Sequence, residues 1–532
     1  MSGFVDVRRP ADVVRAFGPD GEIALHRTPD GLWTGGGVVV GLAAEPDHLG
    51  VRLGATTGVS RLLLRWHGDV GDAARYLGDH WERSYGDLEW QGEAPERVLP
   101  WYLLTHRDGP GNAGGPTHGY GVRVGAGALC FWTADAGGLS LWADVRSGGR
   151  PVQLGGRTLA VADVVARAGE PGETPFAAHR ALCREMCPQP LLPSYPVHGT
   201  NDWHVHYGRN SFDVISRAAE QVSRLAPDAG NRPYCVIDDG WSRGGLGSGP
   251  WYGNERFGDM GAMAARLRDL GTRPGIWYRP LTTLPGVPAR WHLEGRGCLD
   301  PSRPEVLELV GEHVRRLVDW GYELVKHDFT TFDVLGRWGF AMGATVTDDG
   351  WGFARGDRTT AEVLLDLYRV VREAAGERAL LIGCNTIGHL AAGLVELQRI
   401  GDDTSGLSWN RTRRMGVNTL AFRAAQHGTF FAADADVTPI TPDLPWPLAR
   451  QWLELVAASG TPLFVSVSPQ VTDPSVLSVV SEALARAARP APVAEPLDWL
   501  DTRCPRRWRL DGAERTFDWL GPDTSGAWPF TD

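Results

Sequence analysis

Lysine is nearly absent from this chain. Of its 53 lysine and arginine residues, only Lys326 is a lysine. A compact ammonium and a planar guanidinium fork are not interchangeable at a tight polar site. Lys326 lies two residues before Asp328, where an apolar run ends. We interpret it as an active-site ammonium beside a catalytic carboxylate; the alternative is a lysine left there by chance.

Other missing features exclude whole classes of protein. No segment has the roughly 18 consecutive apolar residues of a membrane span, and the first residues lack the basic-then-apolar pattern of a signal peptide. A net charge of −11 argues against binding nucleic acid or an anionic membrane. We therefore expect a cytoplasmic protein with neither nucleic acid nor membrane as a partner; a homo-oligomer is compatible with the sequence.

The seven cysteines form no CxxC pair, and their number is odd. This usage is typical of reduced, structural thiols. No glycine-rich phosphate loop opens any of the predicted helices. We expect neither a cofactor nor a bound metal.

A length of 532 residues exceeds one ordinary domain. Residues 1–170 contain short apolar or alternating runs broken by Gly, Asp and Pro, a pattern that predicts an antiparallel β-sandwich. A helical stretch at 176–186 leads to the proline-rich segment 188–196. We expect an N-terminal sandwich domain at 1–190, a catalytic domain at 191–489 and a short β-rich extension at 490–532.

From residue 197 onward, short apolar runs alternate with amphipathic helical stretches such as 211–225, 304–320 and 359–375. This alternation predicts a (β/α)8 barrel, with a doubly wound open sheet as the alternative. The predicted strands are 197–203, 233–241, 273–280, 322–328, 379–385, 394–402, 428–434 and 461–467.

Polar residues cluster at the carboxyl ends of these strands, where barrel enzymes place their sites. A single aspartate there is explained by capping of the next helix. Carboxylates at several strand ends, with Lys and Arg among them, favour a catalytic pocket instead. In strand order the residues are Asn201, Asp202 and Trp203; Asp238, Asp239 and Trp241; Trp277 and Arg279; Lys326 and Asp328; Cys384 and Asn385; Arg399, Asp402 and Asp403; Asp434 and Asp436.

Two carboxylates facing each other across a barrel mouth are what glycoside cleavage requires. A retaining enzyme uses one as the nucleophile and the other as acid and then base, about 5–5.5 Å apart. Lys326 and Asp328 are two residues apart, so their side chains share a face of the strand, and the ammonium favours an ionised nucleophile. Asp402 stands next to Asp403, and a like charge helps a carboxyl group to keep its proton.

These residues resemble a known group of enzymes. The segments 237–241, 275–277, 326–328 and 399–403, with Cys384, look like the barrel motifs of the α-galactosidase clan, glycoside hydrolase families 27, 31 and 36. Family 36 is the most similar because it has a β-sandwich before its barrel. The resemblance covers residues 195–470 in motif order, and the first 190 residues only in architecture. It implies a retaining exo-acting α-glycoside hydrolase that forms a covalent glycosyl-enzyme intermediate on an oligosaccharide or glycoside substrate.

The resemblance also implies roles for individual residues. Asp328 would be the nucleophile and Asp402 the acid/base, with Asp403 as the fallback. The other predicted substrate-binding residues are Asp238, Asp239, Trp241, Trp277, Arg279, Lys326, Cys384, Asn385, Arg399, Asp403, Trp203 and His204. Of these, Asp238, Asp239 and Lys326 would bind sugar hydroxyls.

Some loops depart from the family pattern, so the sugar itself stays open. Arg279 stands where the family usually has an acidic residue, and Asn385 begins a segment that replaces a glycine-rich run. The loop at 201–207 is rich in histidine, and the large C-terminal β-domain is nearly absent. We hypothesise that Arg279 and the histidines accept an acidic or otherwise modified sugar.

Three other functions stay open at this point. His204, His206, His327 and His389 are candidate ligands of a metal-dependent barrel hydrolase. A raffinose-synthase-like transglycosylase would use the same residues for its first half-reaction. A non-catalytic sugar-binding protein is the third alternative, although it would not need both Asp328 and Asp402.

Overall fold

The computed structural model describes residues 3–70, 75–108, 114–226 and 230–520. Up to residue 167, these residues form two antiparallel sheets, of six and eight strands. In sheet order the first is β2-β1-β7-β13-β12-β9 and the second is β3-β4-β5-β6-β14-β11-β10-β8. The strands are β1 Val13–Gly18, β2 Gly21–Ile23, β3 His26–Arg27, β4 Trp33–Gly35, β5 Val38–Ala44, β6 Leu49–Ala55, β7 Arg61–His67, β8 Arg75–Gly78, β9 Leu99–Pro100, β10 Tyr102–His106, β11 Thr117–Val122, β12 Leu129–Asp135, β13 Gly138–Asp144 and β14 Thr158–Arg167.

Side-chain alternation places the apolar residues of these strands in a core. In β6, Val51 and Leu53 are buried while Arg52 between them is exposed, because successive side chains point to opposite faces. The two sheets meet through aromatic rings. Tyr120 of the eight-stranded sheet lies 6.3 Å, between ring centroids, from Trp132 of the six-stranded sheet.

The predicted helix after the second sheet packs against strand β11. It spans Pro175–Met186 (α1), begins with proline, and is capped by Thr174, whose side chain accepts a hydrogen bond from the Ala177 amide. Gly119 and Gly121 make the close approach feasible. A Cβ at either position would lie within 3 Å of Leu182 or Met186 of the helix.

The second half of the chain forms a parallel sheet that contains all eight predicted strands. Because these strands are almost wholly buried, they form continuous apolar runs in the sequence. Their order in the sheet is β21-β20-β19-β18-β17-β16-β15-β23-β22. They are β15 His198–Asn201, β16 Tyr234–Ile237, β17 Arg273–Tyr278, β18 Leu324–His327, β19 Leu380–Gly383, β20 Leu397–Arg399, β21 Ala432–Asp434, β22 Thr438–Ile440 and β23 Leu463–Val467.

The seventh predicted strand, 428–434, differs from the expectation, because only its last three residues form a strand, β21, and an unpredicted strand, β22, follows it. β21 and β22 are the two edge strands of the sheet and are linked by residues 435–437. Asp436 in this link has a left-handed backbone, with φ of 73°, which turns the chain out of the strand conformation. Since the link spans at most about 14 Å, the two edges of the sheet lie close together, as in the barrel that the sequence predicts.

Helices alternate with the parallel strands and cover them. Helix α7 begins with a capping box formed by Thr359 and Glu362, and its buried face carries Leu364, Leu367 and Val371. After α1, the helices are α2 Trp203–His206, α3 Phe212–Leu225, α4 Met260–Asp269, α5 Pro304–Asp319, α6 Thr330–Leu335, α7 Thr360–Ala375, α8 Gly388–Ala391, α9 Trp409–Thr412, α10 Thr419–Arg423, α11 Trp446–Ala458 and α12 Pro474–Ala487. A π-helix, Arg413–Asn418, lies between α9 and α10.

The C-terminal extension forms a three-stranded antiparallel sheet of β24 Glu495–Pro496, β25 Arg507–Leu510 and β26 Ala513–Thr516. The chain after this sheet contacts helix α9, where Trp409 Nε1 donates a 2.8 Å hydrogen bond to the Trp519 carbonyl. Residues 521–532 of the predicted extension lie outside the described residues.

Two further features bear on the expectations from composition. All seven cysteines are free thiols, and six of them are buried. Within the described parts of the chain, no helix is both long enough and apolar enough to cross a membrane.

Candidate active site

A cavity of about 380 Å³ opens at the carboxyl ends of the parallel strands. This is the place where barrel enzymes hold their substrates, and the volume lies in the usual range for small-ligand sites. The lining residues are Arg83, Tyr85, Trp203, Asp238, Asp239, Trp277, Lys326, Asp328, Phe329, Trp338, Phe340, Cys384, Asp402, Asp403 and Arg411. The structure therefore brings together the predicted carboxylates from β16, β18 and β20.

Asp328 follows β18 and is held by three hydrogen bonds. Its Oδ1 accepts from the backbone amides of Phe329, at 2.7 Å, and Asn385, at 2.9 Å. Its Oδ2 accepts from Trp277 Nε1 at 3.0 Å. Donors on both oxygens fix the orientation of the Asp328 carboxyl group toward the cavity.

Phe329 has an uncommon backbone conformation next to this carboxylate. Its φ of 63° and ψ of 2° lie in the left-handed region, which a bulky side chain rarely adopts. This conformation accompanies the short contact between its amide and Asp328 Oδ1. The local strain, on the order of 1–3 kcal/mol, is thus stored where it helps to fix the carboxylate.

Lys326 lines the cavity, as expected, but its direct partner differs from the expectation. Its Nζ donates a 2.7 Å hydrogen bond to Asp238 Oδ2, and not to Asp328. Burial alone would lower the pKa of this ammonium, but the charge of Asp238 outweighs it and raises the pKa above its usual value. Asn201 Nδ2 donates to the same Asp238 oxygen at 2.8 Å. Lys326 and Asp238 therefore form a fixed ion pair at the base of the cavity.

We expect Lys326→Arg to lower kcat for an aryl α-galactoside at least 100-fold, although it keeps the charge. The buried site fits an ammonium at 2.7 Å from Asp238, and a wider fork would displace a neighbouring group; a misplacement of about 1 Å costs roughly 100-fold. Steady-state kinetics with a melting curve would measure this. Arg266→Lys on the exposed face of α4 is the matched control. Activity within threefold of the wild type would contradict an active-site role for Lys326 and leave its position in the sequence a matter of chance.

Asp239, beside Asp238, carries a carboxyl group that titrates near neutrality. Burial, followed by the charge of Asp238, raises its pKa to about 7, although the Gly240 and Gly247 amides donate to its oxygens at 2.7 Å. Asp202, behind them, has its pKa raised to about 7 by the same two causes. With a pKa near 7, the Asp239 carboxyl group in the cavity lining is suited to bind a hydroxyl either as a donor or as an acceptor.

Asp402 is held between two guanidinium groups. Arg83 contacts its Oδ1 at 3.1 Å and Arg411 contacts its Oδ2 at 2.9 Å. The negative charge of neighbouring Asp403 is therefore opposed by the positive charges of Arg83 and Arg411. Both oxygens of Asp402 are engaged.

Asp403 is more open to the cavity than Asp402, with 38% of its side chain exposed against 17%. Arg399 contacts its Oδ1 at 3.0 Å, and Arg83 lies 3.8 Å from the same oxygen. Burial would raise the pKa of Asp403, but Arg399 and Arg83 hold it below its usual value. Its second oxygen accepts no hydrogen bond from the described residues.

The sequence did not indicate Arg83 and Tyr85, which come from the N-terminal part of the chain. Ser84 lies in parallel register with the segment after β20: its amide donates to the Ile400 carbonyl at 3.0 Å, and its carbonyl accepts from the Asp402 amide at 2.9 Å. These two bonds carry Arg83 to Asp402. Residues 81–85 hold charged groups between aromatic ones, but nothing local reveals that the segment pairs with residues more than 300 positions away.

Several predicted substrate-binding residues lie behind the cavity wall. Trp241 donates its indole hydrogen to the Trp277 carbonyl, and Asn385 uses its amide on Asp328 and its side chain on Glu82. Arg399 bonds Asp403 and Asp436, while His204 Nε2 donates to Asp436 Oδ2 at 2.9 Å. These residues are not among the cavity-lining side chains. They support the site from outside because each buried polar group needs a partner.

Arg279 also lies outside the cavity lining, which argues against a direct role for it in the acidic-sugar hypothesis. Its guanidinium forms two hydrogen bonds with Asp333, at 2.5 and 3.0 Å, and stacks over the ring of Phe329 at 4.4 Å. A cation already neutralised by a buried carboxylate offers little attraction to an acidic sugar.

We expect Arg279→Ala to leave the preference between neutral and acidic sugars unchanged and to lower the free energy of unfolding by about 3 kcal/mol. The loss arises because Asp333 stays buried without its partner. Denaturant unfolding and kinetics on a galactoside and a galacturonide would measure both. Arg279→Met with Asp333→Leu should recover much of the stability, whereas a shift in sugar preference in Arg279→Ala would revive the original hypothesis.

The histidines do not assemble a metal centre. His389 stacks on Trp101 at 4.4 Å between ring centroids and His327 packs near Tyr368. Burial lowers the pKa of His389 to about 3 and that of His327 to about 4. Over the residues that the structure describes, no group of three or more His, Cys, Asp and Glu side chains is arranged to hold a metal. The metallohydrolase alternative therefore lacks a donor set here.

Comparisons with known proteins give a fold. No protein-family model and no curated protein sequence matches the chain. Among solved structures, it is similar to an α-galactosidase from Thermus thermophilus in complex with p-nitrophenyl α-D-galactopyranoside, with 20% identity over 90% of this chain and 96% of the other, at a TM-score of 0.60. It is also similar to a variant of a GH36 α-galactosidase from Geobacillus stearothermophilus in complex with raffinose, with 15% identity, coverage of 94% and 76%, and a TM-score of 0.60.

The chain has the fold of these α-galactosidases. The expected resemblance to the clan, closest to family 36, is thereby confirmed in architecture. A third α-galactosidase-fold structure, the galactosidase domain of an α-galactosidase–sucrose kinase, covers 89% of this chain with 16% identity and a TM-score of 0.58. At these sequence identities, the similarity is evidence for the fold alone. The evidence for the chemistry is the arrangement of residues in the cavity.

Proposed function

We propose that this protein is a retaining, exo-acting α-galactosidase-like glycoside hydrolase. The observation that carries the proposal is one cavity in which Asp328, held by three donors, shares the lining with Asp402 and Asp403. Glycosidases need this combination of an ionised carboxylate and a second carboxyl group on opposite sides of the scissile bond. The α-galactosidase fold supports the same chemistry by analogy.

Asp328 is proposed as the nucleophile. Its carboxylate oxygen forms a bond to the anomeric carbon as the bond from that carbon to the leaving oxygen breaks, which yields a covalent glycosyl-enzyme. Water then attacks the same carbon and releases Asp328. Three fixed donors keep the carboxylate oriented, so little reorganisation precedes the attack.

The geometry favours Asp403 over Asp402 as the acid/base. Asp402 has a guanidinium on each oxygen, which leaves it no free oxygen for proton transfer. Asp403 uses only Oδ1 in its contacts with Arg399 and Arg83 and is more exposed to the cavity. We propose that Asp403 protonates the leaving oxygen and later deprotonates water, and that Asp402 positions Arg83 and Arg411 at the mouth of the cavity.

The base of the cavity is proposed to bind the galactose ring. Asp238 and Asp239 offer carboxyl oxygens, and Lys326 offers an ammonium that is already oriented by Asp238. Trp277 both lines the cavity and bonds Asp328, so its ring can pack against the sugar while its indole fixes the nucleophile. Such a mixed lining of aromatic surface and a few polar groups is usual for sugar sites.

A panel of aryl α- and β-glycosides, with NMR of the first anomer formed, tests the proposal. We expect turnover of the α-galactoside and an α-anomer as the first product. A β-anomer as the first product would overturn the assignment of Asp328, and absence of turnover across the panel would overturn the function. Repeating the reaction with an added acceptor sugar separates hydrolysis from transglycosylation, which shares the first half-reaction.

A further inference from the structure

The cavity has two chemically different halves. Its base holds charged groups from the strand ends: Asp238, Asp239, Lys326 and Asp328. Its outer half carries aromatic side chains on longer connections: Tyr85 from the N-terminal part, and Phe329, Trp338 and Phe340 after β18. A sugar ring fits the first half, which leaves the aromatic half to whatever the sugar is attached to.

The aromatic residues form a connected surface. Trp338 stacks on Phe332 at 4.4 Å between ring centroids and lies 5.7 Å from Phe329. Phe340 contacts the ring of Tyr85 edge-on at 5.0 Å. Phe340 nevertheless keeps 63% of its surface exposed, so the ring is supported on one side and open to a ligand on the other.

Exposed apolar side chains also stand on other loops that follow the cavity-forming strands. The three most exposed large apolar side chains of the described residues are Leu407, Phe340 and Leu246, at 64%, 63% and 60%. Each lies on a connection that follows a strand contributing to the cavity: β20, β18 and β16 respectively. Gly247, next to Leu246, donates to Asp239 itself. We name Leu246, Phe340 and Leu407 the apolar rim.

Polar groups near the rim are already paired with each other. Arg83 and Arg411 both contact Asp402, and Arg411 also donates to the Asp403 carbonyl at 2.9 Å. These three charged side chains are therefore already engaged with one another and offer less to the hydroxyls of a second sugar. Exposed apolar surface at a binding cavity, here Phe340, marks a site for an apolar ligand.

We propose that the apolar rim and the aromatic half of the cavity bind an apolar aglycone, so that the substrates are α-galactosides of alkyl, aryl or lipid-like alcohols. This inference rests on the proposed function, because the carboxylates at the base must take the sugar. The apolar aglycone is the group on the other side of the scissile bond from the galactose.

The test compares methyl, octyl and phenyl α-galactoside with raffinose. The full-length wild-type protein should show a kcat/KM for octyl at least 30-fold above that for methyl, because only the long chain reaches the rim. Phe340→Ser should lower kcat/KM for octyl about 10-fold or more and lower that for methyl by a clearly smaller factor, because Phe340 also lines the cavity. Leu407→Ser should act in the same direction. Val39→Ser, an equally apolar exposed residue of β5, is the matched control and should change neither.

The outcomes separate this inference from the proposed function. Equal kcat/KM for octyl and methyl, or raffinose as the best substrate with no effect of Phe340→Ser, would overturn the apolar aglycone and leave the glycosidase intact. No hydrolysis of any galactoside would overturn both. The other possible occupant of the rim is a second copy of the chain, which light scattering of the wild type and Phe340→Ser tests. A lower molecular mass in the variant, together with a kcat/KM that does not depend on the aglycone, would assign the rim to that second copy.

Discussion

Asp328→Asn is expected to lower kcat at least 10⁴-fold on aryl α-galactosides. The amide cannot form the glycosyl-enzyme, and loss of a catalytic nucleophile costs factors of this order or more. A factor of 10⁴ corresponds to about 5.5 kcal/mol of transition-state stabilisation. The fold should persist, because an amide oxygen in the Oδ1 position still accepts two of the three hydrogen bonds that hold Asp328, those from the Phe329 and Asn385 amides. About 1 kcal/mol is lost where the NH₂ group faces the Trp277 indole donor.

Rescue by a small anion makes this result specific to a nucleophile. Azide or formate, added to Asp328→Asn with a dinitrophenyl α-galactoside, should restore part of the rate and give a product of inverted configuration. Asp319→Asn, an exposed residue at the end of α5, is the matched control and should behave as wild type. Activity of Asp328→Asn within tenfold of the wild type would remove Asp328 from the chemistry.

The strands could be predicted because most of them are buried on both faces and therefore lie within short apolar runs of the sequence. All eight predicted strands are present in the parallel sheet, and the left-handed Asp436 separates the seventh, β21, from an unpredicted ninth strand, β22. A single residue with an unusual φ leaves no periodic pattern. The carboxylates could be predicted for the same reason: a strand end fixes where its last polar residue points, so Asp238, Asp328 and Asp402 converge.

The partners of those carboxylates could not be predicted. Because Lys326 and Asp328 are close in the sequence, a direct contact between them was expected. The long Lys326 side chain instead reaches Asp238, which follows β16, two strands away in the sheet. Arg83 is a stronger case, since its position depends on two backbone hydrogen bonds between Ser84 and the segment after β20. Such contacts join distant segments and are decided by packing, not by local pattern.

Arg83 also changes what Asp402 can do, which leads to the second large effect. Asp403→Asn is expected to lower kcat/KM by 10²–10⁴-fold for galactosides with poor leaving groups, the range of general acid catalysis. A dinitrophenyl leaving group needs no proton, so the same variant should cleave that bond nearly as fast as the wild type. The limb of the pH profile that reports the acid should disappear with the carboxyl group.

Asp402→Asn should give a different pattern. Arg83 is buried, with 6% of its side chain exposed, and it would lose its closest anion, as would Arg411. We expect the free energy of unfolding to fall by about 3 kcal/mol, with a loss of kcat/KM that is similar for good and poor leaving groups. Brønsted plots over a series of aryl galactosides, with melting curves for both variants, separate the two. A steep dependence on the leaving group in Asp402→Asn, and none in Asp403→Asn, would transfer the acid/base role to Asp402. Asp403 would then be the carboxylate that positions Arg399, because the two aspartates share three arginines and only one can be free to move a proton.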